Sequence, residues 1–168
     1  PPTTPNFGSA TLTGFGSVCV NTTAGPNNFI LNGSNLTSAD IVVGPFAGYT
    51  FSSTSGGTYT ASLTITQGGG SFSQPVFVKF TPTAIATYNG NIPVTGAGAP
   101  AASVAVTGEG VNVAPSLTTG AASAITSSSA TLAGSITSIG CTAVTAYGIE
   151  FSLVNGFANG TGTQVPST

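Results

Sequence analysis

Six side chains of this sequence offer chemistry beyond that of a hydroxyl or an amide group. They are two thiols, one amine and three carboxylates, namely Cys19, Cys141, Lys79, Asp40, Glu109 and Glu150. There is no histidine, and the single basic residue is a lysine. The two distant thiols could be a catalytic group and a spare, a metal pair, a disulfide, or two small residues without a chemical role.

This residue content argues against catalysis and against metal binding. A serine-type hydrolase needs a base beside its nucleophile, and the sequence has no histidine to serve as one. A zinc site needs several closely placed ligands, and glycosidase chemistry needs two converging carboxylates. Calcium sites need clustered acidic ligands, which are also missing. We therefore predict a protein that is not an enzyme, with no catalytic residue, no cofactor and no metal ion.

The three carboxylates are each expected to have a local structural role. Asp40 follows the residues TSA and is expected to cap a turn. Glu109 lies between two glycines in VTGEG, at the expected end of a domain. Glu150 alternates with Ile149 and Phe151, so it is expected to face solvent.

Two interpretations of Lys79 are open. In QPVFVKF, Lys79 shares a strand face with Phe77, and its stem is expected to lie along that face with the ammonium group in water. The alternative is an intramolecular lysine–asparagine isopeptide bond, with Lys79 as the amine and Glu109 as the catalytic acid. An intact mass equal to that of the unmodified sequence would exclude this bond.

The composition narrows the class of protein. Hydrophobic residues make up 40% of the 168 residues and charged residues only 2%, which favours a folded chain whose polarity comes from Thr, Ser, Asn and Gly. One lysine cannot supply the basic surface that nucleic acids or anionic membranes attract. No stretch has the length and hydropathy of a transmembrane helix. This composition is typical of extracellular surface proteins, and it favours self-association because charge repulsion is weak.

The pattern of residues predicts an all-β fold. TYTASLTITQ alternates Tyr59, Ala61, Leu63 and Ile65 with hydroxyl residues, as a half-buried strand does. Turn signals such as GPNN, SGG and YNGN separate the apolar runs at the spacing of a β-sandwich. The predicted strands lie near 8–14, 17–21, 27–32, 40–43, 48–53, 58–66, 74–80, 89–95 and 102–107.

A second module is expected after the linker VNVAPSLTTG, in which Pro115 fixes the chain direction. We therefore predict domains at residues 1–111 and 112–168. The second stretch is roughly half of the ~100 residues that an immunoglobulin-like sandwich needs. It is expected to be incomplete, and either further sequence or a neighbouring subunit would complete it. The chain is accordingly expected to be a segment of a longer protein.

Three motifs carry a resemblance to known modules. FVKFTPTAIATYNGNIPVTG and VAVTGEG contain the patterns V-x-F-x-P, Y-x-G-x-I and V-x-G-x-G. Over residues 7–110 the chain resembles the immunoglobulin-like modules of the ASPM/SPD/Hydin superfamily, in the version found in large secreted proteins of Bacteroidetes. SLTTGAASAITSSSATLAGSITSIGCTAVTAYGIEFSL resembles the first half of the fibronectin type III-like repeats of the same proteins.

The resemblance implies a tandem-module surface protein that leaves the cell by type IX secretion and serves as an adhesin, stalk or filament. It assigns no catalytic residue. The expected function is therefore structural or adhesive, at the bacterial cell surface, with copies of the same chain, neighbouring modules or surface glycans as partners. The alternative is a ligand- or carbohydrate-binding accessory module of a secreted enzyme.

An extracellular setting favours oxidation of the two cysteines. Cys19 follows the first strand of the first sandwich, and Cys141 follows the second strand of the second module. Both positions are expected near the linker, so we predict a Cys19–Cys141 disulfide that stiffens the joint. The alternatives are two buried, unpaired small residues, or pairing with a neighbouring repeat.

Overall fold

A computed structural model describes residues 3–166, and it confirms the predicted all-β sandwich fold. Strand contacts divide the chain between Val111 and Asn112 into an N-terminal unit and a C-terminal unit. The strands of the N-terminal unit are β1 (Asn6–Phe7), β2 (Ser17–Cys19), β3 (Ala24–Leu36), β4 (Ile41–Val43), β5 (Tyr49–Ser52), β6 (Leu63–Ile65), β7 (Gly70–Phe80), β8 (Ala86–Thr87), β9 (Gly90–Gly96), β10 (Ala102–Val106) and β11 (Glu109–Val111). Those of the C-terminal unit are β12 (Ser116–Thr119), β13 (Gly134–Ser138), β14 (Gly148–Phe151) and β15 (Thr163–Pro166).

Three sheets build the N-terminal unit. One has the order β1-β3-β7-β5, the second has the order β10-β9-β4-β6, and the third has the order β2-β11-β8. Strand β11 pairs in parallel with β2, and the other strand pairs of these sheets are antiparallel.

The core of the N-terminal unit lies between the first two sheets. On β7, Val76, Val78 and Phe80 are fully buried, while Phe77 and Lys79 between them are partly exposed. The second sheet contributes apolar side chains of the same alternating kind. The largest fully buried side chains are those of Phe29, Leu31, Ile41, Val43, Phe51, Val76, Val78, Phe80, Pro82, Ile92 and Val94. Burying one such side chain is worth roughly 1.5–3 kcal/mol, so this core stabilises the sandwich.

Two predicted strands are wrong in extent. Residues 8–14 form no strand; they run from β3, where Gly8 N–H donates to the Asn32 carbonyl, to the end of β10, where Phe15 N–H donates to the Thr107 carbonyl. Because this segment crosses from one sheet to the other, it cannot stay hydrogen-bonded to a single neighbouring strand. The strand expected at 58–66 shrinks to β6 and one isolated bridge between Phe51 and Thr60. The Thr60 hydroxyl donates to the Ser62 carbonyl there, in competition with the ladder.

The C-terminal unit consists of two separate strand pairs, β12–β13 and β14–β15. None of residues 112–166 is buried. Large apolar side chains are exposed instead, at Val113, Leu117, Ile125, Leu132, Ile136, Ile139, Tyr147, Phe151, Leu153, Val154 and Val165. A two-stranded pair is marginally stable by itself, so this unit lacks the packing that stabilises the N-terminal one.

The closing motif V-x-G-x-G has a steric explanation. A Cβ atom at Gly108 would lie 2.7 Å from the Tyr49 hydroxyl oxygen and 2.8 Å from the Phe80 ring. At Gly110 it would overlap the main-chain carbonyl oxygen of Ala84. The last strand of the sandwich therefore approaches its neighbours more closely than any residue with a side chain allows.

We expect the substitution Gly110→Ala to lower the free energy of unfolding by about 1–3 kcal/mol, because the new methyl group meets backbone rather than a movable side chain. Urea denaturation followed by circular dichroism measures this change. Gly68→Ala is the matched control, since a Cβ atom there would have no neighbour within 4 Å. Equal stability of the two variants would contradict the steric explanation.

Candidate functional site

The three carboxylates lie in different elements and have different surroundings. The exposed Asp40 precedes β4, and its main-chain carbonyl accepts the Ala97 N–H at 3.1 Å. Glu109 on β11 accepts a hydrogen bond from the Ser17 hydroxyl at 3.0 Å. Among residues 3–166, no group of three or more His, Cys, Asp and Glu side chains could hold a metal ion.

Glu150 is partly buried and binds the loop that joins β14 to β15. Its carboxylate accepts the N–H groups of Gly160 at 2.9 Å and Gly162 at 2.5 Å. Glu150, expected to face solvent, is partly exposed, and two main-chain donors of the loop converge on its oxygens. Charge-assisted bonds of this kind are stronger than neutral ones, so Glu150 orders the loop.

A shallow depression of about 460 Å³ lies beside the same loop. Its lining residues are Phe151, Ser152, Leu153, Thr161, Gly162 and Thr163. None of these side chains is ionisable, so the depression offers apolar contact and hydroxyl groups rather than catalytic chemistry.

Lys79, the single cation of the sequence, lies on the outer face of the β1-β3-β7-β5 sheet. Its ammonium nitrogen is 4.3 Å from the centroid of the Tyr59 ring, a cation–π contact. The Tyr59 hydroxyl donates to the Ser55 carbonyl at 2.9 Å, which fixes the ring. The alternation in TYTASLTITQ predicts Tyr59 on the apolar face with Ile65. The structure instead places it beside Lys79, because the bridge between Phe51 and Thr60 brings Tyr59 alongside Ser52.

The outer face around Lys79 combines apolar groups with amides and hydroxyls. Phe77 and Asn28 are paired across β7 and β3, as are Pro75 and Ile30, and Ser73 and Asn32. The Ser73 hydroxyl donates to the Asn32 side-chain oxygen at 2.8 Å, which confirms that these two side chains share this face. We call the surface formed by Tyr59, Lys79, Phe77, Pro75, Ser73, Asn28, Ile30 and Asn32 the Lys79 face.

Lys79 and Glu109, the two candidates for an isopeptide bond, have different neighbours. Lys79 lies on β7 against Tyr59, whereas Glu109 lies on β11, in another sheet, against Ser17. The isopeptide bond stays an untested hypothesis, for which this arrangement supplies no support.

An aromatic cluster forms one end of the N-terminal core. The Tyr49 and Phe80 rings stack with centroids 4.8 Å apart, and Phe80 meets Tyr88 edge to face at 5.3 Å. Phe46 and Phe15 complete the cluster around Tyr49, at 5.5 Å and 5.7 Å. The sequence shows only dispersed tyrosines, because the residues of this cluster come from four separate segments.

The pKa values of two tyrosines in this cluster are shifted in opposite directions. The Tyr49 hydroxyl donates to the Tyr88 carbonyl at 2.9 Å, and burial raises the pKa of Tyr49 to about 12. The hydroxyl oxygen of the partly buried Tyr88 instead accepts bonds from the Thr83 and Ala84 N–H groups. The hydrogen bond from the Thr83 side chain, assisted by the two main-chain donors, lowers the pKa of Tyr88 because it stabilises the phenolate.

Cys19 pairs with the last residue of the N-terminal unit, and Cys141 bonds to a residue near the start of the C-terminal unit. In the N-terminal unit, Cys19 on β2 is the ladder partner of Val111 on β11. In the C-terminal unit, the Cys141 N–H donates to the Val113 carbonyl at 2.8 Å, and the Val113 N–H donates to the Cys141 sulfur at 3.2 Å. Both sulfurs are disulfide-bonded, so neither cysteine is a free thiol. The Cys19–Cys141 pairing stays a prediction.

Comparison with known proteins yields no functional assignment. No protein-family model matches the chain, and no curated protein matches its sequence. Among residues 3–166, no helix has the length and apolar character that crossing a bilayer would require.

We expect a tryptic digest to test the disulfide. Trypsin can cut this sequence only after Lys79, so the denatured, unreduced chain should yield two fragments that stay covalently linked through Cys19 and Cys141. Reduction should separate residues 1–79 from 80–168 in the mass spectrum. Cys19→Ser should separate them without reductant. Disulfide-linked multimers of the chain would instead indicate pairing between copies, and failure to cut after Lys79 would revive the isopeptide hypothesis.

We expect Tyr49 to make stability fall at high pH. Below pH 10, the ordinary pKa of tyrosine, the phenol is protonated in both the folded and the unfolded chain. Between about pH 10 and pH 12 the unfolded chain loses this proton while the buried phenol keeps it, so the free energy of unfolding decreases. Denaturant titrations at several pH values measure this slope. Tyr49→Phe should flatten it, and an unchanged slope would contradict the role of Tyr49.

Proposed function

We propose that this chain is a non-catalytic structural and adhesive protein of the bacterial cell surface, built from tandem β-sandwich modules and able to associate with copies of itself. The observation that carries the proposal is the contrast between its two units. The N-terminal unit has a dense apolar core, whereas residues 112–166 of the C-terminal unit include no buried residue and expose many large apolar side chains. Apolar surface of this extent is typical of interfaces.

The N-terminal unit supports a load-bearing role. The motifs that resemble secreted immunoglobulin-like modules fall on its core and its closing strand. Val78, Phe80 and Pro82 of V-x-F-x-P are fully buried, as is Ile92 of Y-x-G-x-I. The glycines of V-x-G-x-G lie where a side chain would clash. The fixed positions of these motifs therefore serve the packing of the N-terminal unit, which supports the proposed load-bearing role.

The few ionisable groups also support a role without catalysis. Glu109 binds Ser17, Glu150 binds the β14–β15 loop, and Lys79 contacts Tyr59. These three groups lie on different strands, and each contacts neighbours of its own rather than another ionisable group. The proposal includes secretion by the type IX route only because the chain resembles modules of secreted Bacteroidetes proteins.

The C-terminal unit supports association in series. Its strand pairs β12–β13 and β14–β15 have unpaired edges and apolar residues open to water. Strands or apolar side chains from an adjacent module, in the same chain or in a second copy, would cover them. The nearly uncharged surface opposes such contact only weakly.

A second candidate function is that of a carbohydrate-binding accessory module of a secreted enzyme. The observation that favours it is the Lys79 face, where aromatic, amide and charged groups lie together on one sheet. Electron microscopy separates the two candidates. Filaments or strings of purified chain support the structural proposal, and isolated particles at every concentration support the accessory module.

We expect the purified chain to associate as its concentration rises, because the exposed apolar residues of the C-terminal unit become buried. Sedimentation velocity over a range of concentrations measures this. Leu153→Asn, at a fully exposed apolar position, should weaken association by several-fold. Ile85→Asn is the control, since Ile85 is also exposed, at 69%, but lies in the N-terminal unit. A wild-type chain that stays monomeric throughout would contradict the proposal.

A further inference from the structure

We propose that the Lys79 face is the adhesive site of this protein and that its ligand is an acidic polysaccharide. A carboxylate of a uronic acid residue would pair with Lys79, and the sugar rings would lie against Phe77, Pro75 and Ile30. This inference rests on the proposed adhesive function and adds to it a surface and a class of ligand.

The charge of the ligand follows from the isolation of Lys79. The chain has a formal net charge of −2 and one basic side chain, which lies on an outer sheet face against the Tyr59 ring. Glu109 and Glu150 bind donors of their own in other elements, and Asp40 precedes a strand of the opposite sheet. An ammonium group has three N–H donors, and the contact with the Tyr59 ring leaves the Lys79 nitrogen donors for an anionic ligand.

The Lys79 face is held in place before any ligand binds. Lys79 stands on β7, where it pairs with Thr50 of β5, and its chain neighbours Val78 and Phe80 pair with Asn27 and Ala24 of β3. The Tyr59 ring beside it is fixed by the bond from its hydroxyl to Ser55. A ligand therefore meets ordered groups and pays little conformational entropy to organise them.

The chemistry next to Lys79 fits a sugar. Sugars present apolar C–H faces bordered by hydroxyl groups. The Lys79 face has an apolar centre of Phe77, Pro75 and Ile30, and Ile30 is 45% exposed. The amides of Asn28 and Asn32 and the hydroxyl of Ser73 border it, and such groups both donate and accept hydrogen bonds. From Ser73 to Lys79 the strand extends ~20 Å, which is long enough to contact several sugar units.

An extended acidic peptide fits the same face less well. Peptides that bind β-proteins commonly add a strand to an open sheet edge, where main-chain groups are free. At Phe77 the main chain already pairs with Asn28 of β3 and Ser52 of β5, and at Lys79 it pairs with Thr50 of β5. Side chains alone are available to the ligand, which favours a chain of hydroxyl-bearing rings.

The test measures binding of the whole chain to immobilised polyuronate, with neutral dextran and polyglutamate as comparison ligands. Wild type should bind polyuronate, and Lys79→Gln should reduce its affinity by at least 10-fold. Lys79→Arg should retain most of the binding because it keeps the charge. Ile30→Asp, at an exposed position on the same face, should also weaken binding because it places a carboxylate beside the ligand. Ile85→Asp is its control on the same unit.

Each outcome decides the inference. Equal binding of wild type and Lys79→Gln, or equal binding of dextran and polyuronate, would overturn the role of Lys79. Equal binding of polyglutamate would show a general polyanion site and overturn the assignment to a sugar. Circular dichroism and thermal unfolding show whether each variant is folded, and Ile30→Asp gives an independent reading if Lys79→Gln is not. Absence of binding to all ligands, while the chain still self-associates, would refute this inference and leave the proposed structural function standing.

Discussion

The hydroxyl group of Tyr49 donates a hydrogen bond to the main-chain carbonyl of Tyr88 from inside the aromatic cluster. This bond joins β5 to the segment before β9, and the rings of Phe80 and Tyr88 pack around it. Tyr88 in turn holds Thr83 and Ala84 through its own hydroxyl, and its N–H donates to the Gly108 carbonyl at 2.8 Å. The connection from β7 to β8 and the closing strand β11 are therefore positioned by one cluster. Gly108 and Gly110 allow this close packing, because a side chain at either position would overlap neighbouring atoms.

The scarcity of charge explains how the polar surface is organised. A chain with one cation cannot form networks of salt bridges, and the carboxylates of Glu109 and Glu150 accept bonds from hydroxyl and main-chain donors instead. Hydrogen bonds between uncharged side chains also order the polar surface, as in the bond between Ser73 and Asn32. An apolar core therefore provides most of the stability, since exposed ion pairs contribute little even where they exist. The surface is left with little electrostatic specificity, except at the position of Lys79.

The fold class could be predicted from sequence because strand alternation is a local signal. Val76, Val78 and Phe80 are buried on one face of β7, as the pattern of QPVFVKF predicts. The errors occur where tertiary contacts override that signal. Residues 8–14 cross between sheets, and the strand expected at 58–66 is interrupted beside Thr60. The short strands β8 and β11 were not predicted, since Ala86–Thr87 and Glu109–Val111 have too few residues for a periodic pattern.

The candidate site was harder to predict than the fold, for a physical reason. Lys79 and Tyr59 are twenty positions apart, and only the bridge between Phe51 and Thr60 brings them onto one face. Glu150 meets the N–H groups of Gly160 and Gly162 through a loop whose path no periodicity encodes. Recognition of this kind depends on side chains that the core does not constrain. The motifs of the resemblance describe the interior, whereas Lys79, Ile30 and Asn32 could change without disturbing a buried contact. A scaffold with this separation can keep its core while modules differ in the ligands that their outer faces bind.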